Sequence, residues 1–153
     1  MATVDETQNI YTDQTGKFPI TSCRGNKYIL IMYVYDTNAI LASPLKSIPD
    51  SHILEDYTKQ VEQLTHREYR PRVHWLDNQA SASLNKYNKQ KYIDYRFVTP
   101  HIHRVNAAER SIMTWKYRFI ARISITETRF PMHLWCWLIP QDTMTLNMMR
   151  PCW

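Results

Sequence analysis

The sequence divides into short apolar runs and longer segments in which apolar residues recur with helical spacing. The run 28–35 is rich in aromatic and β-branched residues and apolar throughout, which is typical of a central strand covered on both faces. Four further segments have the composition of strands, at 9–12, 39–43, 72–76 and 94–98. The pattern therefore predicts five strands.

Two long helices follow from apolar residues at spacings of three and four. The first begins at Pro49 and Asp50, and its apolar face carries Ile53, Tyr57, Val61 and Leu64. The second begins at Asn106, and its apolar side carries Ala108, Ile112, Trp115, Phe119 and Ile123. A shorter helix is predicted over 80–89, and 131–147 is predicted as a helix kinked at Pro140, with a strand at 133–137 as the alternative. The alternation of strands and helices indicates an α/β layer structure.

The length and composition are those of one globular domain. With 153 residues, of which 44% are hydrophobic, the chain can form one substantial core. Nineteen Lys and Arg against fourteen Asp and Glu favour a polyanionic partner. Three widely spaced cysteines predict neither a disulfide framework nor a paired zinc site, and the histidines have no zinc-protease spacing. We expect an intracellular protein without a signal peptide or membrane helix.

Three acidic residues stand where an open sheet gathers its ligands. Asp13 ends the first strand, Asp77 ends the fourth, and Glu109 lies in the first turn of the helix after strand five. Asp13 and Asp77 become neighbours if strands one and four pair. Carboxylates about 4 Å apart repel by roughly 4 kcal/mol at an effective dielectric near 20, so the cluster needs cations such as Mg²⁺ or Mn²⁺. Two such ions can activate a water or a 3′ hydroxyl for displacement at phosphorus.

The three acids belong to longer motifs. These are Tyr-Thr-Asp-Gln-Thr-Gly at 11–16, Gly-Asn-Lys-Tyr at 25–28 with Asp36 after the apolar strand, Val-His-Trp-Leu-Asp-Asn at 73–78, and Thr-Pro-His-Ile-His-Arg-Val-Asn-Ala-Ala-Glu-Arg at 99–110. In order and context, over nearly all of the chain, they resemble the integrase catalytic core of retroviruses and copia-type retrotransposons. In that family the first acid follows strand one, the second belongs to an Asp-Asn pair, and the Glu opens a helix.

The resemblance implies an RNase H-like α/β fold over residues 1–153, with a five-stranded mixed sheet flanked by helices on both faces. It implies that Asp13, Asp77 and Glu109 are the catalytic residues and hold two Mg²⁺ or Mn²⁺ ions, with Asp36 outside this set. It also implies a homo-oligomer and, for an active integrase, a nuclear location. We expect residues 1–153 to correspond to the core alone, without the zinc-binding module that precedes it in the family and the basic domain that follows it.

Basic residues near the acids are the candidates for DNA contacts. The candidates are Arg104, Arg110 and Lys116, followed by Lys86, Lys89 and His103. Lys116 lies seven residues after Glu109, on the same face of the helix, whereas Met113 occupies the position four residues after it, where a basic residue could face DNA. We expect binding to be sequence-tolerant and to weaken steeply with salt, because phosphate contacts release counterions.

Each acid has a simpler interpretation when taken alone. Asp13 would be a turn former, Asp77 an N-cap, and Glu109 the second half of a capping box that begins at Asn106. Lys86 and Lys89 would lie on a solvated helix face. Taken together, the three acids favour a polynucleotidyl transferase that cuts and joins DNA. The alternatives are a catalytically inactive nucleic-acid-binding remnant and a nuclease that acts on RNA in hybrids.

Overall fold

The structure, a computed structural model, describes residues 7–47, 50–76, 82–97 and 103–151, without the side chains of residues 50 and 103–106. The strands are β1 (Asn9–Gln14), β2 (Tyr28–Val34), β3 (Ala39–Leu45), β4 (Val73–Leu76) and β5 (Asp94–Phe97). They form one sheet in the order β3-β2-β1-β4-β5. The β1–β2 and β2–β3 pairs are antiparallel, and the β1–β4 and β4–β5 pairs are parallel, so the sheet is mixed, as predicted.

Helices cover both faces of this sheet. On one face lie α1 (Asp50–His66) and α2 (Ala82–Gln90), and on the other lie α3 (His103–Ile125) and α4 (Leu138–Met149), the last preceded by a 3₁₀ helix (Met132–Trp137). None of the helices in the ranges above is both long and apolar enough to cross a membrane.

Alternating side chains along the strands supply both cores. In β2, Leu30, Met32 and Val34 pack against α1 and α2, while Ile29, Ile31 and Tyr33 pack against α3 and α4. The apolar faces predicted for the two long helices are the ones that the sheet covers: Tyr57, Val61 and Leu64 of α1, and Ala108, Ile112, Trp115 and Phe119 of α3 are buried. The apolar run at 28–35 is thus a central strand because both layers bury it.

Two element boundaries change the interpretation of the acids. β1 continues past Thr12 to Gln14, so Asp13 lies inside the strand. α3 begins at His103 rather than at Asn106, since no Gly or Pro separates these residues and the helix can include them. The prediction that Glu109 lies in the first turn is therefore wrong, and so is the interpretation of Asn106 and Glu109 as a capping box.

The C-terminal segment is helical, and the strand alternative at 133–137 is wrong. The 3₁₀ helix passes into α4 at Leu138, so Pro140 falls in the first turn of α4. An N–H group in the first turn has no acceptor within the helix, and a proline is tolerated there without a kink. The change from 3₁₀ to α-helical geometry, rather than a kink at Pro140, divides this segment into two pieces.

Candidate functional site

The strands that end near the candidate acids pair with each other in parallel. Asn9, Ile10 and Tyr11 of β1 pair with Val73, His74 and Trp75 of β4. The Tyr11 and Trp75 rings stack with centroids 5.9 Å apart and planes 7° from parallel. Strands one and four do pair, which is the condition that the sequence analysis set for Asp13 and Asp77 to be neighbours. The carboxyl ends of these two strands are therefore neighbours at one edge of the sheet.

Asp13 is part of β1, and its carboxylate is half exposed. Its backbone pairs with Ile31 of β2, so the interpretation of Asp13 as a turn former is wrong. The carboxylate accepts the backbone N–H of Gln14 on Oδ1 at 2.8 Å and the ammonium of Lys116 on Oδ2 at 2.7 Å. With 43% of its side chain exposed, Asp13 remains accessible from solvent.

Lys116 reaches this carboxylate from α3. Trp115 and Phe119 are fully buried and fix α3 on the sheet, so the neighbouring position 116 is held over the end of β1. The Lys116 Nζ atom also lies 3.4 Å from the backbone oxygen of Gln14, and the side chain is only 24% exposed. Its stem lines an apolar pocket of about 440 Å³, together with Phe18, Ile120 and other residues of the β1–β2 connection and α3.

Glu109 is exposed on α3, seven residues before Lys116. Seven residues make two helical turns, so both side chains lie on one face, with Glu109 about 10 Å further along the helix axis. Asp77 lies outside the described residues. Within the described ranges, no three His, Cys, Asp or Glu side chains come together as a metal site. Carboxylate oxygens are nevertheless the donors that Mg²⁺ and Mn²⁺ prefer. The carboxylate of Asp13 is of this kind, and the Lys116 ammonium contacts it in this structure.

The other predicted DNA contacts are distributed over both layers. Arg110 is exposed on α3. His103 and Arg104 fall in the first turn of α3, and their side chains lie outside the described part of the chain. Lys86 and Lys89 are exposed on α2, which covers the opposite face of the sheet from α3. Lys116 is a predicted cation that the structure brings to a predicted acid, Asp13.

Asp36 lies at the other end of the sheet, because β2 runs antiparallel to β1. Its Oδ2 atom accepts the backbone N–H of Gln8 at 2.5 Å and the hydroxyl of Tyr69 at 3.3 Å. Burial and the nearby charge of Asp36 raise the pKa of Tyr69, so this hydroxyl remains a donor. Asp36 thus stabilises the start of β1, in agreement with its exclusion from the acidic set.

A buried polar network under β1 and β4 was not predicted from the sequence. His74 is fully buried, with Nε2 at 2.7 Å from the Thr12 hydroxyl and Nδ1 at 3.2 Å from the amide nitrogen of Asn88. The amide oxygen of Asn88 in turn accepts the Tyr57 hydroxyl at 2.8 Å. Because Asn88 donates to Nδ1, the proton of the neutral ring is on Nε2, which donates to Thr12. Burial lowers the pKa of His74 to about 3 and keeps the ring neutral.

Comparison with known proteins bears on the fold. No protein-family model matches the sequence, and no curated protein matches it either. Among solved structures, the crystal structure of the catalytic core domain of BIV integrase is similar to this chain, with a TM-score of 0.68 and 16% sequence identity. The similarity covers 95% of this chain and 86% of the integrase chain. At that identity the comparison establishes the architecture: this chain has the RNase H-like α/β fold of an integrase catalytic core.

Proposed function

We propose that this chain is the catalytic domain of a retrotransposon integrase-like polynucleotidyl transferase, which cuts DNA and joins the cut end to a second DNA strand. In this proposal Asp13, Asp77 and Glu109 hold two Mg²⁺ or Mn²⁺ ions. The chain acts as one domain, forms a homo-oligomer, binds DNA with little regard to sequence and works in the nucleus. The observation that carries the proposal is the parallel register of β1 and β4.

The two aspartates follow the last residues of this register at the same interval in sequence. Tyr11 pairs with Trp75, Asp13 comes two residues after Tyr11, and Asp77, two residues after Trp75, lies outside the described residues. Tyr11, Val73 and Trp75 all pack into the core under α3. Because side chains along a strand alternate with a period of two, the alternation predicts the α3 side for both positions 13 and 77. Neighbouring strands lie about 4.8 Å apart, and Asp13 and Asp77 would be the residues of this strand pair that hold a divalent ion.

Glu109 supplies the third carboxylate from the helix. The contact between Lys116 and Asp13 ties the face of α3 that carries Glu109 to the carboxyl end of β1. The bound ions would activate a water or 3′ hydroxyl and stabilise the leaving oxygen, and no nucleophile from the protein is required. The role of the chain itself is to hold the ions between a strand pair and a helix, and Arg110 and Lys116 are the proposed contacts of the phosphate backbone on α3.

A second candidate is a catalytically inactive DNA-binding module. Two observations favour it: the carboxylate of Asp13 is already neutralised by Lys116, and the exposed position one turn after Glu109 is the apolar Met113. In this alternative the fold and the basic residues serve binding alone. DNA affinity would then be independent of divalent ions and of the three acids.

The two candidates are separated by an assay of DNA nicking and strand transfer in Mg²⁺ or Mn²⁺. The proposal predicts activity in the wild type and its loss in Asp13→Asn, Asp77→Asn and Glu109→Gln. Asp94→Asn removes an exposed carboxylate at the start of β5 and should leave activity intact. Equal activity in all variants, or activity without metal, would exclude the proposed site. An RNA–DNA hybrid in parallel reactions tests the alternative of a nuclease that acts on RNA.

A further inference from the structure

We propose that Lys116 acts as a switch: a divalent metal ion that binds Asp13 displaces the Lys116 ammonium from that carboxylate. Without metal its ammonium neutralises Asp13, and when a divalent ion takes this carboxylate, the freed ammonium becomes a contact for a DNA phosphate. The inference rests on the proposed function, because it assumes that Asp13 is a metal ligand. Lys116 then has two alternative partners, first the Asp13 carboxylate and, after metal binding, a DNA phosphate.

The ammonium of Lys116 and a divalent ion compete for one carboxylate. Oδ1 of Asp13 already accepts a backbone N–H, and Oδ2 is held by Lys116 at 2.7 Å. An ion bound to the same carboxylate would place a like charge next to the ammonium and would repel it. Since a partly exposed ion pair contributes little to stability, the protein can give up this pair at low cost.

The sequence of α3 offers the freed side chain no other acid within one turn. The residues three and four positions from Lys116 are Ile112, Met113, Phe119 and Ile120. The pocket along its stem is apolar, and an ammonium without a partner is unfavourable there. The ammonium therefore stays beside Asp13, where the backbone oxygen of Gln14 at 3.4 Å is its other contact and solvent has access to it. A DNA phosphate brought to metal ions on Asp13 would lie within reach of that ammonium, and its charge is opposite.

The first test measures Mn²⁺ affinity by calorimetry in the absence of DNA. Lys116→Met should bind Mn²⁺ about three- to tenfold more tightly than the wild type, because the competing cation is gone. Lys116→Gln serves as a second neutral variant if the Met variant does not fold, and Lys116→Arg, which keeps the charge, should resemble the wild type. The matched control is Lys59→Met, which removes a Lys–Glu55 pair of similar length, 2.8 Å, on α1.

Asp13→Asn in the same experiment separates failure of the inference from failure of the proposed function. Loss of Mn²⁺ binding in Asp13→Asn, together with equal affinities in the wild type and both neutral Lys116 variants, would overturn the switch and leave the metal site in place. Wild-type Mn²⁺ affinity in Asp13→Asn would instead remove the metal site from the proposed function, and the switch with it. Tighter binding in Lys59→Met as well would show a general charge effect and would also overturn the switch.

The second test asks whether Lys116 contacts a DNA phosphate only when a divalent ion is bound. The dependence of DNA affinity on salt is measured for the wild type and Lys116→Met, with and without Ca²⁺. With Ca²⁺, the slope of log affinity against log salt should be steeper in the wild type by about 0.9, the value of one phosphate contact. Without a divalent ion the two slopes should agree, because Lys116 then remains on Asp13. A difference of the same size under both conditions would contradict release by metal.

Discussion

Thr12 Oγ1 and His74 Nε2 lie 2.7 Å apart across the β1–β4 pair. This hydrogen bond joins the residue next to Asp13 to a network that continues through Asn88 of α2 to Tyr57 of α1. Both strands that end near the candidate site are therefore supported from the opposite layer by neutral hydrogen bonds. The Nδ1 atom of His74 can take part only as an acceptor, so protonation of this atom would break the network.

The first prediction concerns stability at acid pH. The pKa of His74 is lowered from 6.5 to about 3 in the folded protein, because burial penalises the charged ring. Between these values the unfolded chain binds a proton that the folded chain does not, so the free energy of unfolding falls as the pH drops from about 6.5 towards 3. At pH 4.5 the loss from this group should be about 3 kcal/mol, measured by urea denaturation against pH 7.

Variants of single histidines isolate this contribution. His74→Gln should be less stable at pH 7 but should lose less stability on acidification than the wild type, since the titrating ring is gone. His66→Gln, which changes an exposed histidine at the end of α1, should keep the wild-type pH dependence. An identical loss on acidification in the wild type and in His74→Gln would show that His74 is not the responsible group.

The second prediction concerns the other end of the same network. Tyr57 is buried, and burial raises the pKa of its hydroxyl, which therefore remains a donor to Asn88. Tyr57→Phe removes this donor, leaves the buried amide oxygen of Asn88 without it, and should lower the free energy of unfolding by about 1–3 kcal/mol. Tyr117→Phe, at an exposed position of α3, should leave stability unchanged in the same denaturation experiment. Similar effects of the two substitutions would argue against a stabilising role for the hydrogen bond.

The sequence predicted the five strands and the four helical segments, and burial explains the clearest of their patterns. β2 is apolar along its length because two helical layers cover it, and the buried faces of α1 and α3 repeat at helical spacing. The start of α3 differs from the prediction because Asn is common at N-caps but does not by itself begin a helix, and the backbone from His103 onward is already helical.

Local sequence motifs identified the candidate acids, but they did not identify the partners of these acids. The β1–β4 pairing that brings Asp13 near the end of β4 entered the sequence analysis only as a condition, and Asp77 lies outside the described residues. The partner of Asp13, Lys116, is 103 residues away in sequence, and no local pattern predicts a pair at that separation. The partners of His74 were missed for the same reason, although a histidine within the apolar strand 73–76 indicates that some buried polar partner must exist.

The third prediction concerns the edge of the sheet at β3. The Asn147 side chain of α4 donates to the backbone oxygen of Ile40 at 2.7 Å and accepts its N–H at 2.8 Å. It thus replaces a neighbouring strand on this edge. Asn147→Leu leaves both backbone groups of a buried residue without these partners and should lower the free energy of unfolding by about 2–4 kcal/mol. Met148→Leu, an exposed change one residue along, should have little effect, and equal stability of the two variants would exclude this role for Asn147.

The fourth prediction concerns Met113, which is 50% exposed on α3, one turn after Glu109. If this face of α3 lies along DNA, Met113→Lys adds a phosphate contact, because it places a cation between Glu109 and Lys116. The slope of log affinity against log salt should then steepen by about 0.9, and affinity for a short duplex at low salt should rise about three- to tenfold. Stability should hardly change, since Met and Lys have similar helix propensities.

The matched control for this prediction is Met148→Lys, which adds the same charge at an exposed position of α4. Both variants raise the net charge of the chain from +5 to +6, so a general electrostatic attraction would strengthen binding equally in the two. A gain confined to Met113→Lys, measured by fluorescence anisotropy over a range of salt concentrations, would assign the DNA to the face of α3 that carries Glu109 and Lys116. Equal gains would mean that the added charge acts through the overall field, and that this face of α3 is not the contact surface.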